Sequence, residues 1–321
     1  MKDVVIGIDI GGTNTKIGLV DREGACLSTS GVSTTDYPDV HNYVAAVQKE
    51  IDGLIAQRRS EVTLRGIGIG APNGNYYHGT IEHAPNLAWK GLIPLAQMFG
   101  KLYPVPVALT NDANAAAIGE MLFGGAKGMK HFIVMTLGTG VGSGIVVNGE
   151  LVYGHDGFAG EIGHSIYDPH GRECGCGRRG CLERYASAGG IVRTVFDLFA
   201  EYFDSESSEL AGISFEKMTS KMITEAAERG DKIALRAFDR TGYVLGLKLA
   251  DAVVHTSPEA IFLFGGLANA GKFIFEPTHR YMEENMLPIF KNKVKLLPSG
   301  LKDNVAILGA AALIWKELDK A

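Results

Sequence analysis

Three of the chain's four cysteines, Cys174, Cys176 and Cys181, stand close together in the stretch Gly160–Glu183, with His164 upstream. Thiolates and imidazole in this number make a Cys₃His set of the kind that binds structural zinc in a tetrahedron, and such soft donors select zinc over Mg²⁺ or Ca²⁺. Four protein ligands leave no open coordination position, so the expected job of the metal is to fix the loop 164–183. Glycines at 175, 177 and 180 let a short loop wrap an ion in backbone conformations that a Cβ forbids. The competing reading is a chance cluster, or a disulfide with one spare thiol. Tight spacing beside a histidine favours the metal.

Other stretches carry phosphate and proton chemistry. Gly11-Gly12-Thr13-Asn14-Thr15 joins two apolar runs as a glycine-hydroxyl turn whose N–H groups can wrap phosphate oxygens, and Asp9 stands at the strand end where a carboxylate can hold hydrated Mg²⁺. Gly138-Thr139-Gly140-Val141-Gly142-Ser143-Gly144 repeats that arrangement. Asn111-Asp112-Ala113-Asn114-Ala115 falls where a strand passes into a helix. Asp112 there is either an N-cap or a general base that accepts the proton of an attacking hydroxyl. Asn73 and Asn86 read from composition as turn formers, and Gly265-Gly266 as close backbone packing.

The elements that must position these groups follow from periodicity. Strands are expected at Val4–Ile10, Lys16–Val20, Cys26–Val32, Gly66–Gly70 and Val105–Thr110, and again at His131–Leu137, Ile145–Val147, Glu150–Tyr153, Ala260–Phe264 and Val294–Leu297. Helical spacing marks Asp39–Arg59, Ile93–Leu102 with Pro94 in the first turn, a small-residue helix to Phe123, Glu183–Leu198, and Asn304–Leu318 capped by Asp303. The region to Pro258 is mainly helical with a polar break at Asp204–Ser208. Two strand–glycine turn–strand units in this order suggest a duplicated core with one phosphate loop per half. With 321 residues, 46% of them hydrophobic, and 42 glycines, the chain is long enough for two cored domains. A net charge of −5 argues against a general nucleic-acid surface, and no apolar run is long enough to span a membrane. The N-terminus does not read as a signal peptide, so the expected location is the cytoplasm.

The run from Gly163-His164 to Cys174-x-Cys-Gly-x-x-Gly-Cys-x-Glu183 is similar to the signature of the ROK family, which contains bacterial sugar kinases and sugar-responsive repressors. Asp9-Ile-Gly-Gly-Thr-Asn-Thr-Lys16 resembles the first phosphate motif of the actin-like ATPase superfamily, and Gly265-Gly266 its adenosine motif. The resemblance implies an α/β, actin-like ATPase (ribonuclease H-like) duplicated fold: two domains facing a cleft that closes on sugar, with ATP and Mg²⁺ held there. The last helix crosses back in that fold, so the implied domains are 1–118 plus 303–321, and 119–302. Carried over residue by residue, Asp9, Gly11, Gly12, Thr13, Lys16, Gly138, Thr139, Gly140, Gly265 and Gly266 bind the nucleotide and its Mg²⁺. Asn73, Asn86, Asn111, Asp112, Glu161, His164 and Glu183 bind the sugar, and Asp112 is the catalytic base. The implied activity is ATP-dependent phosphorylation of glucose. An N-acetylmannosamine, N-acetylglucosamine or allose kinase and a non-enzymatic sugar-sensing regulator are the alternatives; the regulator is disfavoured by the absence of room for a helix-turn-helix ahead of the first strand. The expected partners are a hexose and ATP, with no nucleic acid or membrane, and a homodimer is compatible with the apolar helices.

Overall fold

A computed structural model describes residues 1–202, 207–301 and 304–320. The chain opens with an antiparallel meander of β1 (Lys2–Ile10), β2 (Asn14–Asp21) and β3 (Cys26–Ser33), and α1 (Val40–Ala56) carries it to β4 (Val62–Ala71), parallel to β1. A small sheet of β5 (Gly74–Asn75), β6 (Thr80–Glu82) and β7 (Leu92–Ile93) precedes α2 (Leu95–Gly100), β8 (Val107–Asn111) and α3 (Asp112–Leu122). β8 lies parallel to β4, giving a sheet in the order β3-β2-β1-β4-β8.

The plan then repeats. β9 (Phe132–Leu137), β10 (Val141–Val147) and β11 (Glu150–Leu151) come first, followed by α4 (Glu183–Ala186), α5 (Ala188–Glu201), α6 (Ser220–Glu228) and α7 (Lys232–Thr256). β12 (Ala260–Phe264), α8 (Lys272–Asn285), β13 (Lys295–Pro298) and α9 (Val305–Leu318) complete the chain. The second sheet runs β11-β10-β9-β12-β13, with β12 parallel to both β9 and β13. Third, second, first, fourth, fifth is the order in both sheets, the duplicated ribonuclease H-like core of actin-like ATPases. Among the described residues no helix is long and apolar enough to cross a membrane.

Two compact units emerge, one of 1–129, 144–160 and 299–321, the other of 130–143 and 161–298. The first therefore runs beyond residue 118, because α3 continues to Leu122 and buried Glu120 ties the neighbouring backbone to it. The Glu120 carboxylate accepts from Gly125 N (2.7 Å), Gly300 N (3.2 Å), Leu301 N (3.4 Å) and the Ser299 hydroxyl. Residues 144–160 join it because Gly144 packs on α3 with no space for a side chain; a Cβ there would lie 2.6 Å from the Ala117 methyl.

Several expected bounds move for local reasons. Ile93 pairs with Ile81 as a strand, and Pro94 precedes the first helical residue, as the extended preference of a residue before proline requires. The helix expected over Glu183–Leu198 breaks at Ser187, whose extended backbone lets its hydroxyl cap α5 through Gly190 N. β10 begins at Val141, inside the expected turn. Asp303 and Asp204–Glu206 lie outside the described residues; Asn304 precedes α9 in a left-handed conformation with no side-chain capping bond.

α9 is buried over most of its length and lies on the backbone of the first sheet. Glycine makes that approach possible: a Cβ on Gly7 would stand 2.3 Å from Ile307 O, and one on Gly68 1.8 Å from Ala310 O. Trp315 adds an indole N–H donated to Asp21 O at 3.1 Å. Gly68→Ala should accordingly destabilise the first unit by on the order of 3 kcal/mol through overpacking against backbone that cannot yield. Gly53→Ala, in α1 with open space around it, should be neutral or stabilising by a few tenths. Urea denaturation of both variants beside the wild type checks the contrast, and equal midpoints would refute the close-packing account.

Candidate functional site

The candidate residues divide between the two units, each described by itself. In the first, the C-terminal ends of three parallel strands put Asp9 opposite Gly70, and Ala71 opposite Asn111, with Lys16 facing Asp9 from β2. That end of an open α/β sheet is where ligands bind. Gly11 N closes the first glycine turn on Asn14 O at 3.0 Å. A Cβ on Gly12 would lie 2.9 Å from Asn86 O, so the phosphate-type turn and Asn86 are neighbours.

Asn86 is exposed just ahead of two buried anchors, Leu87 and Trp89. The Trp89 indole donates to Tyr37 O at 3.0 Å and its ring lies 4.4 Å from that of Tyr43, whose hydroxyl meets Thr15 Oγ1 at 2.8 Å. Thr15 also meets Thr34 Oγ1 at 2.9 Å. This buried Thr15–Tyr43–Trp89 chain supports the turn from behind, a role sequence reasoning missed; tryptophan closing a Pro-Asn-Leu-Ala-Trp run was the available signal. Asn73 has a left-handed backbone (φ 50°) and donates to Glu82 O at 2.9 Å, so its amide is engaged in shaping the turn before β5.

Asn111, not Asp112, caps α3: its Oδ1 accepts from Ala113 N at 2.8 Å. Asp112 is the first helical residue, its Oδ1 also 2.8 Å from Ala113 N. The protein mass around it pushes its carboxyl above the usual carboxylate range, against the pull of the Ala113 hydrogen bond, and solvent reaching its exposed surface tempers the rise. Asp9 is pushed up to about 6, first by burial and then by the Asp112 charge, with Lys16 opposing. A buried carboxylate raised further by a neighbouring carboxylate's charge suits a cation between the protein and an anionic ligand.

In the second unit, ligand atoms of His164, Cys174, Cys176 and Cys181 all lie within 4.8 Å of one another. Cys174 Sγ is 3.8 Å from His164 Nδ1, and Cys176 Sγ 3.6 Å from Cys181 Sγ. Zinc–sulfur bonds of about 2.3 Å set tetrahedral edges of about 3.8 Å, so the donor set fits zinc, whereas all the cysteines are free thiols. Three thiolates overcompensate a divalent charge, and Arg178, donating to His164 O at 3.0 Å, supplies a cation at the cluster. Burial works against ionisation of Cys176, but hydrogen bonds from Arg178 draw its thiol down to about 6. Arg172 braces the loop from outside, donating to Arg184 O (2.7 Å), Gly190 O (3.0 Å) and Thr194 Oγ1 (3.0 Å). Sequence reasoning passed over both arginines, since their partners are backbone carbonyls and side chains that only the fold brings to them.

The second glycine turn lies beside this loop. Gly138 N donates to Gly140 O at 3.0 Å, and Gly142 N to Thr136 Oγ1 at 3.1 Å. Thr139 is exposed at the tip. Gly265, with φ 104°, passes so close to β9 that a Cβ would lie 2.7 Å from Leu137 O, while Gly138 and Gly266 open onto free space. Glu183 Oε2 accepts from Val141 N at 3.0 Å. Glu161 is exposed where the 3₁₀ turn Ile162–His164 begins.

The raised Asp9 carboxyl has a thermodynamic signature. Below about pH 4 the group is protonated folded or unfolded and contributes nothing; above pH 6 the folded chain carries the full penalty, on the order of 3 kcal/mol. Asp9→Asn should thus raise the denaturation midpoint at pH 7–8, the gain shrinking to nothing as pH falls from 6 to 4. A pH-independent difference between variant and wild type would remove the burial penalty from the account.

Comparison with known proteins bears on the whole chain. The ROK family profile matches residues 5–317. A glucokinase of Thermotoga maritima is 35% identical over 315 residues, covering 98% of each chain. A ROK family glucokinase from Streptomyces griseus, solved in complex with glucose and AMPPNP, aligns with TM-score 0.80 and 33% identity over 97% of this chain and 98% of that one. A xylose repressor of Bacillus spizizenii is 29% identical over 96% of this chain and 76% of the repressor. With sheet order, glycine turns and metal loop in place, the chain belongs to the ROK family.

Proposed function

We propose that the protein phosphorylates glucose to glucose 6-phosphate with ATP as donor. The observation that carries this is Asp112: Asn111 takes the capping bond of α3, leaving a carboxylate of raised affinity for protons at the strand-to-helix transition. A full-length glucokinase relative at 35% identity supports the same reading. A sugar hydroxyl is a poor nucleophile, and Asp112 accepts its 6-hydroxyl proton as the bond to phosphorus forms.

Asn86, Asn111, Glu161, His164 and Glu183 hold the sugar, because amides and carboxylates match vicinal hydroxyls and each carboxylate oxygen accepts strong hydrogen bonds. Asn73 fixes the loop from which Asn86 extends. His164 turns Nδ1 to the cysteines, so Nε2 is the nitrogen that addresses the sugar. Each unit offers the donor its own groups, Gly11, Gly12, Thr13 and Lys16 in the first and Gly138, Thr139 and Gly140 in the second, where Gly265-Gly266 would admit the adenosine. Mg²⁺, held through Asp9, supplies charge neutralisation at the donor phosphates. Zinc at His164, Cys174, Cys176 and Cys181 holds its loop in one conformation and takes no part in the chemistry. Reduced thiols and an ATP supply suit a cytoplasmic enzyme.

The repressor relative keeps a second reading in view, a sugar-binding regulator without turnover. A coupled assay with ATP, Mg²⁺ and glucose separates the two. For the base, Asp112→Asn should keep glucose binding while kcat falls by on the order of 10²–10⁴-fold. Near-wild-type turnover with an intact fold would end the assignment.

The sugar itself is tested by competition. A site built from hydroxyl-binding amides and carboxylates penalises analogues that leave those groups unpaired. Glucose should exceed N-acetylglucosamine and N-acetylmannosamine in kcat/KM by at least ~10²-fold, or roughly 2.7 kcal/mol of differential transition-state binding. Should an N-acetylated sugar or allose prove the better substrate, glucose is the wrong hexose while Asp112 retains its role.

A further inference from the structure

The segment after the last metal ligand grips the second glycine turn at both ends. Glu183, two residues after Cys181, accepts from Val141 N at 3.0 Å. Ala188 N, at the start of α5, donates to Gly138 O at 2.8 Å. The other end of the loop reaches the same peptide: a Cβ on Gly163, beside ligand His164, would lie 1.9 Å from Val141 O. Val141 is buried; its N–H is bonded by Glu183 and its C=O is closely packed by Gly163, both near residues of the Cys/His set. Gly140 is glycine for a related reason, since a Cβ there would lie 2.5 Å from Glu183 Oε2. The second Glu183 oxygen is 4.0 Å from Cys174 Sγ, and Leu182 N donates to Ser165 O at 2.9 Å, closing the loop on itself.

From this geometry we infer that Glu183 is a positioning residue for the glycine turn at 138–142: a strut through which the metal-ordered loop sets the conformation of the turn that holds donor phosphate. The use of the turn rests on the kinase reading; the strut itself does not. A carboxylate accepting a backbone N–H in a partly buried site makes a charge-assisted bond of fixed direction. It transmits order only while its own backbone is fixed, which is what metal ligation two residues away provides. A loop that loses its metal frees Glu183, and the turn loses its hold on the Val141 N–H. Binding of nucleotide to the turn therefore depends on the metal at a distance, with Glu183 as the link.

Hydrogen exchange tests the strut without any ligand. In zinc-loaded wild type, the amide exchange of the 138–142 segment should be slow; in Glu183→Gln, whose neutral amide accepts more weakly, and in wild type stripped of zinc by a chelator, it should speed up by roughly tenfold. The decisive arm is the stripped Glu183→Gln protein, which should exchange no faster than either single change, because both cut one connection. AMPPNP titrated with Mg²⁺ in the absence of sugar should show the same pattern, weakening roughly fivefold or more in each single change and little further in the double. Unchanged exchange in loaded Glu183→Gln, or losses that add, would overturn the strut; stripped protein that unfolds leaves the loaded comparison to decide. Loaded wild type that fails to bind AMPPNP would instead count against the kinase reading, with the exchange result still deciding the strut.

Discussion

Carboxylates gathered at the ends of parallel strands set the terms for the first unit. Asp9 on β1 and Asp112 at the start of α3 are held where the surrounding protein raises both, and the Asp112 charge burdens Asp9 further. Such a site is unfavourable in the folded chain unless a cation or an anionic ligand's counterion answers it. The rest of the unit keeps that arrangement in place. α9 lies on the backbone at Gly7 and Gly68. Glu120 gathers Gly125, Ser299, Gly300 and Leu301 at the far end of α3. The helix that begins with Asp112 is therefore fixed at both ends.

Much of this was legible in the chain itself. Metal-ligand spacing, two glycine-hydroxyl turns and alternating apolar runs are local signals, and each survives folding because the physics that produces it is local. The repeated strand–turn–strand units pointed to a duplicated core, while the order of strands within each sheet came only with the structure. Less legible were features that depend on residues far apart. Nothing in the sequence says that Asn111 rather than Asp112 caps α3, because both are good caps and only the backbone entry angle decides. Ser187 splits a helix whose apolar spacing looks continuous, since its hydroxyl competes for Gly190 N. The Thr15–Tyr43–Trp89 chain joins three segments that no window of sequence contains. Arg172 likewise draws its partners from α4 and α5 together.

The metal site illustrates how far ligand chemistry can be read and where it stops. Donor identity and spacing mark a set that could hold a metal and whose softness suits zinc. What the loop does with its fixed shape is not contained in the spacing. It depends on the peptide at Val141 meeting both ends of the loop, an arrangement created by the tertiary fold.

The two sheets share strand order, and both place a glycine turn between their first and second strands. Yet the turns are held by different means. In the first unit, Thr15 is locked by hydroxyls and aromatic rings in a buried core, so the turn inherits its order from packing. In the second, the turn is gripped by Gly163 and Glu183, which flank the Cys/His loop, and by Ala188 at the start of α5. Packing order is built in with the fold and persists as long as the unit does. A loop this rich in glycine loses much conformational entropy when fixed, so an ion held by its Cys/His set would contribute directly to that order. The duplicated halves thus share one topology while their corresponding turns are held differently, one by a buried hydroxyl and aromatic cluster, the other by a carboxylate and backbone beside the Cys/His loop.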